Sequence, residues 1–146
     1  MNKINLMFEK KQQRFIEAQG SLTYKTVKEE LSSGKKQTHW MWFIFPQLIG
    51  LGRSQLAKYY GIESLLEAQA YWDHPLLGTK LRECISIVND LSFGAEEIFG
   101  EIDAIKFQSC LTLFLQINAN NNESLLQATL DHFYYGKLDQ RTLDLL

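Results

Sequence analysis

Few residues of this chain combine a reactive type with a suggestive setting, and His39 is the first of them. It stands near the head of Thr38-His39-Trp40-Met41-Trp42-Phe43-Ile44-Phe45-Pro46-Gln47, where an imidazole beside aromatic surface could serve as a general acid/base or a ligand contact. The plain alternative is a histidine that hydrogen-bonds a backbone carbonyl. Lys106 is the second: on an otherwise apolar helix, a lysine must reach water or meet an anion, and the latter would make it a phosphate or carboxylate anchor. Asp103, one helical turn earlier, offers the simpler role of a local ion pair, and Ser109, one turn later, could add a hydroxyl to the same face. Gly50-Leu51-Gly52-Arg53-Ser54 leads into a helix and could present Arg53 to an anion. It lacks the spacing of a phosphate-binding loop and follows no predicted strand.

Metal chemistry finds no support in the spacing. No two of His39, His74 and His132 stand at ligand intervals, and Cys84 and Cys110 each lie inside an apolar helical pattern, as reduced core residues do. His74, just before Pro75, reads as a helix cap, and His132 as a residue at the edge of its helix. The acidic patch Glu96, Glu97, Glu101 and Asp103 reads as complement to helix dipoles rather than as a cation site. Neither a Gly-x-Ser-x-Gly nor a Ser-x-x-Lys nucleophile motif is present. No cofactor is expected.

The elements that position these residues read as helices. One runs from Phe8 to Gln19; a second, capped by Ser21, ends at Gly34. The Trp-rich run is apolar at nearly every position, so its periodicity is silent. No second segment alternates with period two to pair with it, and a buried helix capped by Thr38 and stopped before Pro46 is therefore expected. Helices follow from about Arg53 to Tyr60 and from a capping box at Ser64-Leu65-Leu66-Glu67. The next opens at Pro75 and carries the stripe Leu77, Leu81, Cys84, Val88, Leu91. Beyond Ala95–Phe99, Asp103 should cap a central helix reaching Ile117, with Ile102 and Phe107 as a hydrophobic staple. After a polar loop at Ala119–Asn122, Ser124-Leu125-Leu126-Gln127 is a second capping box, and Asp139 should cap the last helix.

Length and composition agree with one ordinary domain over 1–146. A chain of this size buries roughly 70% of its unfolded surface, and its 45% hydrophobic and 22% charged content are those of an ordered globular protein. No apolar run reaches membrane-span length, and Met1–Arg14 has no signal-type apolar core, so a cytoplasmic protein is expected. Charge is uneven. Residues 1–36 hold eight Lys/Arg against four Asp/Glu, and the remainder seven against thirteen. A basic N-terminal third permits nucleic-acid binding, but the aromatic residues that would stack on bases lie elsewhere, so such a partner is not expected.

The same residues carry a resemblance. His39-Trp40-Met41-Trp42-Phe43-Ile44-Phe45-Pro46-Gln47, Leu51-Gly52-Arg53-Ser54, Ala70-Tyr71-Trp72-Asp73-His74-Pro75-Leu76-Leu77-Gly78, Leu81-Arg82-Glu83-Cys84, and Ile98-Phe99-Gly100 with Asp103 and Lys106 resemble the bacterial DUF1810 family, small proteins of unknown function. The resemblance spans about Phe15 to Leu146. It implies a mainly α-helical fold and no established activity; Ser109-Cys110-Leu111 stands where Ser-Ser-Met is common in the family.

The expectation is thus an all-α, single-domain bundle of about seven to eight helices around a buried Trp-rich helix, packed against the Asp103–Ile117 helix. Its function would be to bind a small anionic or aromatic ligand in a cleft near the His-Trp-Met-Trp-Phe segment, using Trp40, Trp42, Gln47, Arg53, Lys106 and Ser109. One alternative is a hydrolase or transferase acting on a nucleotide-like or amide substrate with His39 as acid/base. Another is a protein-interaction module with an exposed aromatic patch.

Overall fold

A computed structural model describes residues 3–119 and 121–146, with side chains from Phe8 onward. Residues 1 and 2 of the N-terminal stretch and Asn120 of the expected polar loop lie outside the described residues. Ten helices follow one another: α1 (Lys3–Ala18), α2 (Ser21–Ser32), α3 (Met41–Ile44), α4 (Gln55–Tyr59), α5 (Leu65–Asp73), α6 (Leu77–Asn89), α7 (Ala95–Phe99), α8 (Glu101–Phe114), α9 (Glu123–Tyr134) and α10 (Gln140–Leu145). The count exceeds the expected seven or eight when the short pieces α3, α4, α7 and α10, of four to six residues each, are numbered separately. No strand occurs among the described residues; a single parallel bridge joins Leu48 to Ile62.

Two helices organise the rest. α6 buries Leu77, Leu81, Cys84 and Val88 as its sequence stripe requires and is packed by α2, α5 and α9. α8, apolar on nearly every side, is packed by α5, α7, α9 and α10, with Phe107, Cys110, Leu111, Leu113 and Phe114 fully buried. The Trp-rich segment meets α8 through aromatic contacts: the Phe45 and Phe107 rings lie 4.8 Å apart, edge to face, and Phe45 also meets Trp40 and Phe99.

The Trp-rich helix is shorter than expected and differently capped. Thr38 does not cap it: the helix begins only at Met41, and the Thr38 backbone N–H and hydroxyl both donate to the Glu30 carboxylate, at 2.9 and 2.6 Å. Trp40 takes the N-cap position, and the turn ends at Phe45 (φ −121°, ψ 73°), which leaves the helical region before Pro46. α8 likewise begins before Asp103. Gly100, at φ +83°, lets the chain turn from α7 directly into α8, so Ile102 faces solvent and no staple with Phe107 forms; the helix stops at Phe114, short of Ile117. Gly20, not Ser21, precedes α2, and Asn122 precedes α9, where the Ser124 capping box does not form.

Other local signals hold. Gly34 has the positive φ of a helix terminator, Ser54 and Ser64 accept the backbone N–H groups of Ala57 and Glu67, and His74 Nδ1 accepts those of Leu76 and Leu77 around Pro75. Both cysteines are free and buried, and burial pushes both thiols up, Cys84 to about 12. The uneven charge is spent inside the fold: Lys11 pairs with Glu63, Arg14 with Glu67, Lys28 with Glu83 and Lys36 with Asp103, which ties the basic N-terminal third to the acidic remainder.

Candidate functional site

The open face of the Trp-rich turn is where polar side chains gather. Trp42 is half-buried on α3, with the Lys106 ammonium of α8 5.1 Å from its ring centre, a cation–π distance. Lys106 also pairs with Asp103 Oδ1 at 3.4 Å, and the other oxygen of Asp103 is held by Lys36 at 2.9 Å. The Trp42 indole N–H is buried and has no acceptor among the described residues. A buried donor in that state costs roughly 1–3 kcal/mol until an acceptor reaches it.

The opposite wall comes from the chain after Pro46. The Gln47 carbonyl accepts from Ile62 N at 3.0 Å and Ile49 N donates back to the Ile62 carbonyl at 2.8 Å, so the bridge fixes the Gln47 backbone while its carboxamide makes no hydrogen bond among the described residues. Gly52 then lets the loop lie against α4, since a Cβ there would come within 2.5 Å of the Ala57 Cβ. This close approach sets Arg53, which is exposed and without an ion pair, at the mouth of the cleft. Arg141, on α10, closes the far side, with its Nε 3.6 Å from Asp139 Oδ1.

Together these walls line an open cleft of about 330 Å³. It adjoins, through Gln47, Ala57 and Lys106, a small inner space of about 10 Å³ against Trp42 and Tyr60, room for about one water-sized group. Apolar surface from Leu51, Ile102 and Ile105 alternates with the cations, and no carboxylate lines either part.

Four residues singled out in the sequence therefore share one cleft: Trp42, Gln47, Arg53 and Lys106. Three do not. Trp40 is buried and donates its indole N–H to Glu30 at 3.0 Å. Ser109 is fully buried and bonds the Ile105 carbonyl and, at 2.8 Å, Asp139 Oδ2. His39 is exposed in the turn before α3, lines neither part of the cleft and has no hydrogen-bond partner among the described residues. An acid/base reading in which Gln47 or Ser109 positions His39 finds no hydrogen bond from either to the imidazole among the described residues: Gln47 lines the cleft and Ser109 bonds Ile105 and Asp139.

Two important groups, Glu30 and Arg141, escaped the sequence reading. Glu30 accepts from Gln37 N, Thr38 N, the Thr38 hydroxyl and Trp40 Nε1. Burial alone would raise its carboxyl, but these four donors outweigh burial and hold it down at about 2. Asp139 heads α10 as expected, yet its carboxylate is occupied by Ser109 and Thr142, and its N–H donates to Thr112 Oγ1. Arg141 had no signal beyond standing two residues after that cap. The acidic patch serves helix starts in part: Glu97 accepts from Gly94 N at 3.1 Å, and no group of metal-holding side chains occurs among the described residues.

Fold and site together define an all-helical domain, with a cation-lined cleft beside an aromatic turn. The chain belongs to the DUF1810 family, described as a protein of unknown function, which it matches over residues 9–146. It is similar to the conserved hypothetical protein Rv1873 from Mycobacterium tuberculosis, whose crystal structure superposes with a TM-score of 0.86 at 49% identity, covering 92% of this chain and 94% of that one. No curated protein matches the sequence. No helix among the described residues is long and apolar enough to cross a membrane.

Proposed function

We propose that the protein binds a small anionic ligand with an apolar or aromatic portion, in the cleft between the Leu51–Ser54 loop, α8 and α10. The observation that carries this reading is the convergence of Trp42, Gln47, Arg53 and Lys106 on one open space, although four helices, α4 to α7, separate the first from the last in sequence. Arg53 supplies a guanidinium at the mouth without an ion pair among the described residues, Lys106 an ammonium over the Trp42 ring that also meets Asp103, and Gln47 a carboxamide without a hydrogen bond among them. A ligand acceptor reaching the inner space would satisfy the Trp42 N–H.

The test is a panel of small anions read by tryptophan fluorescence and thermal melting. A ligand at a hundred times its Kd stabilises by about 2.7 kcal/mol, which raises the melting temperature by several degrees. Binding should weaken in Arg53→Gln and Lys106→Gln, and the fluorescence change should vanish in Trp42→Phe. A panel that shifts neither signal, or a hit indifferent to both charge substitutions, would overturn the reading.

A further inference from the structure

The cleft carries more positive charge than one carboxylate can use. Arg53, Lys106 and Arg141 reach it from three separate elements, and Lys36 stands behind Lys106. The compensating groups are few. Asp103 is shared between Lys36 and Lys106, and Asp139 lies behind Arg141 and is already engaged by Ser109 and Thr142. Three cations line the space, and the two carboxylates behind them do not balance them, because Asp103 is shared with Lys36, which lies outside the lining; more than one positive charge is left facing a space with no acid in its lining.

We propose that the ligand is a dianion of the phosphate monoester type, and that Arg141, oriented by the buried carboxylate of Asp139, is the residue that selects it over singly charged acids. This rests on the cleft being a ligand site at all. A phosphate monoester carries close to two negative charges near neutral pH and offers three acceptor oxygens, so it can engage two guanidinium groups and an ammonium at once. A carboxylate or a phosphate diester, with one charge, leaves part of the surplus unmet. Asp139 is the positioning residue: it is buried, fixed by two hydroxyl donors, and 3.6 Å from the Nε of the exposed Arg141, which lines the cleft. The organic portion of the ester would lie along Leu51, Ile102 and Ile105.

Three probes of one shape separate the possibilities: phenyl phosphate, its singly charged methyl ester and benzoate, titrated against the full chain at fixed pH and ionic strength. Phenyl phosphate should bind about tenfold more tightly than either monoanion. In Arg141→Gln the preference should shrink to about threefold or less while all three probes still bind, and Arg141→Lys should restore part of it. Equal binding of the three probes overturns the dianion inference and leaves the cleft as an anion site. A preference unchanged in Arg141→Gln overturns the role given to Arg141. Absence of binding by every probe overturns this inference and counts against the cleft reading with it.

Discussion

Glu30→Gln is the substitution whose consequence follows most directly from the structure. The Glu30 carboxylate sits 9% exposed at the end of α2 and receives four hydrogen bonds, at 2.6 to 3.0 Å, from Gln37, Thr38 and the Trp40 indole. It thereby fixes the turn that delivers the Trp-rich segment to α8. Holding a carboxyl at about 2 instead of 4.5 is worth about 3 kcal/mol of folding stability at neutral pH. A glutamine keeps one acceptor oxygen and could donate to the Thr38 hydroxyl, but it loses the charge that strengthens every one of these bonds. Wild type should therefore exceed Glu30→Gln by about 3 kcal/mol in urea unfolding at pH 7. The sign with pH follows from a lowered folded value: the contribution is full above the unfolded value of 4.5 and is lost as pH falls toward 2. The gap between the two proteins should then narrow to about 1.4 kcal/mol at pH 3, whereas carboxyls common to both cancel in the difference. A gap of the same size at both pH values would refute the argument, as would a negligible gap at pH 7.

Two further substitutions test the interior. Arg14→Met leaves the Glu67 carboxylate, which Arg14 meets at 3.0 Å and whose side chain is 3% exposed, with a more distant Lys11 at 3.9 Å. The cost should be about 3 kcal/mol, Glu67→Gln in the same background should recover much of it, and a thermal double-mutant cycle giving simple additivity would contradict the pairing. Burial already raises the Glu67 carboxyl, so the penalty of Arg14→Met should relax as pH falls and Glu67 takes up a proton. Ser109→Ala removes one of two hydroxyl donors to the buried Asp139 carboxylate and should lower stability by about 1–3 kcal/mol in thermal melts. Direct ligation by Ser109 would show instead as lost binding with an unchanged melt.

What the sequence revealed and what it concealed divide by the range of the interaction. Ser54, Ser64, His74 and Gly34 announce helix ends because a cap and the groups it satisfies lie within four residues. The α6 stripe is equally local. The central helix α8 was recognisable from its nearly uninterrupted apolar run, although its start was misplaced: Asp103 is a good cap by type, and nothing short of the backbone shows that Gly100 has turned the chain three residues earlier. Thr38 shows the same competition more sharply. Its hydroxyl suits a cap, but a carboxylate eight residues away is a stronger acceptor than a free backbone N–H is a donor.

The same rule explains which site residues were legible. Lys106 and Arg53 stood out because a cation amid apolar residues or glycines needs a reason to be there, and that reason is visible within one turn of helix or loop. Ser109 stood out on equal grounds, yet its hydroxyl answers a different need. Asp139, thirty residues later, must be buried for α10 to close over α8, and a buried carboxylate requires donors. The serine's contribution to the cleft is accordingly indirect. It holds Asp139, Asp139 stands behind Arg141, and Arg141 closes the cleft wall opposite Arg53. A residue chosen for proximity to a lysine in sequence thus stands behind the cleft wall, holding the carboxylate that pairs with Arg141.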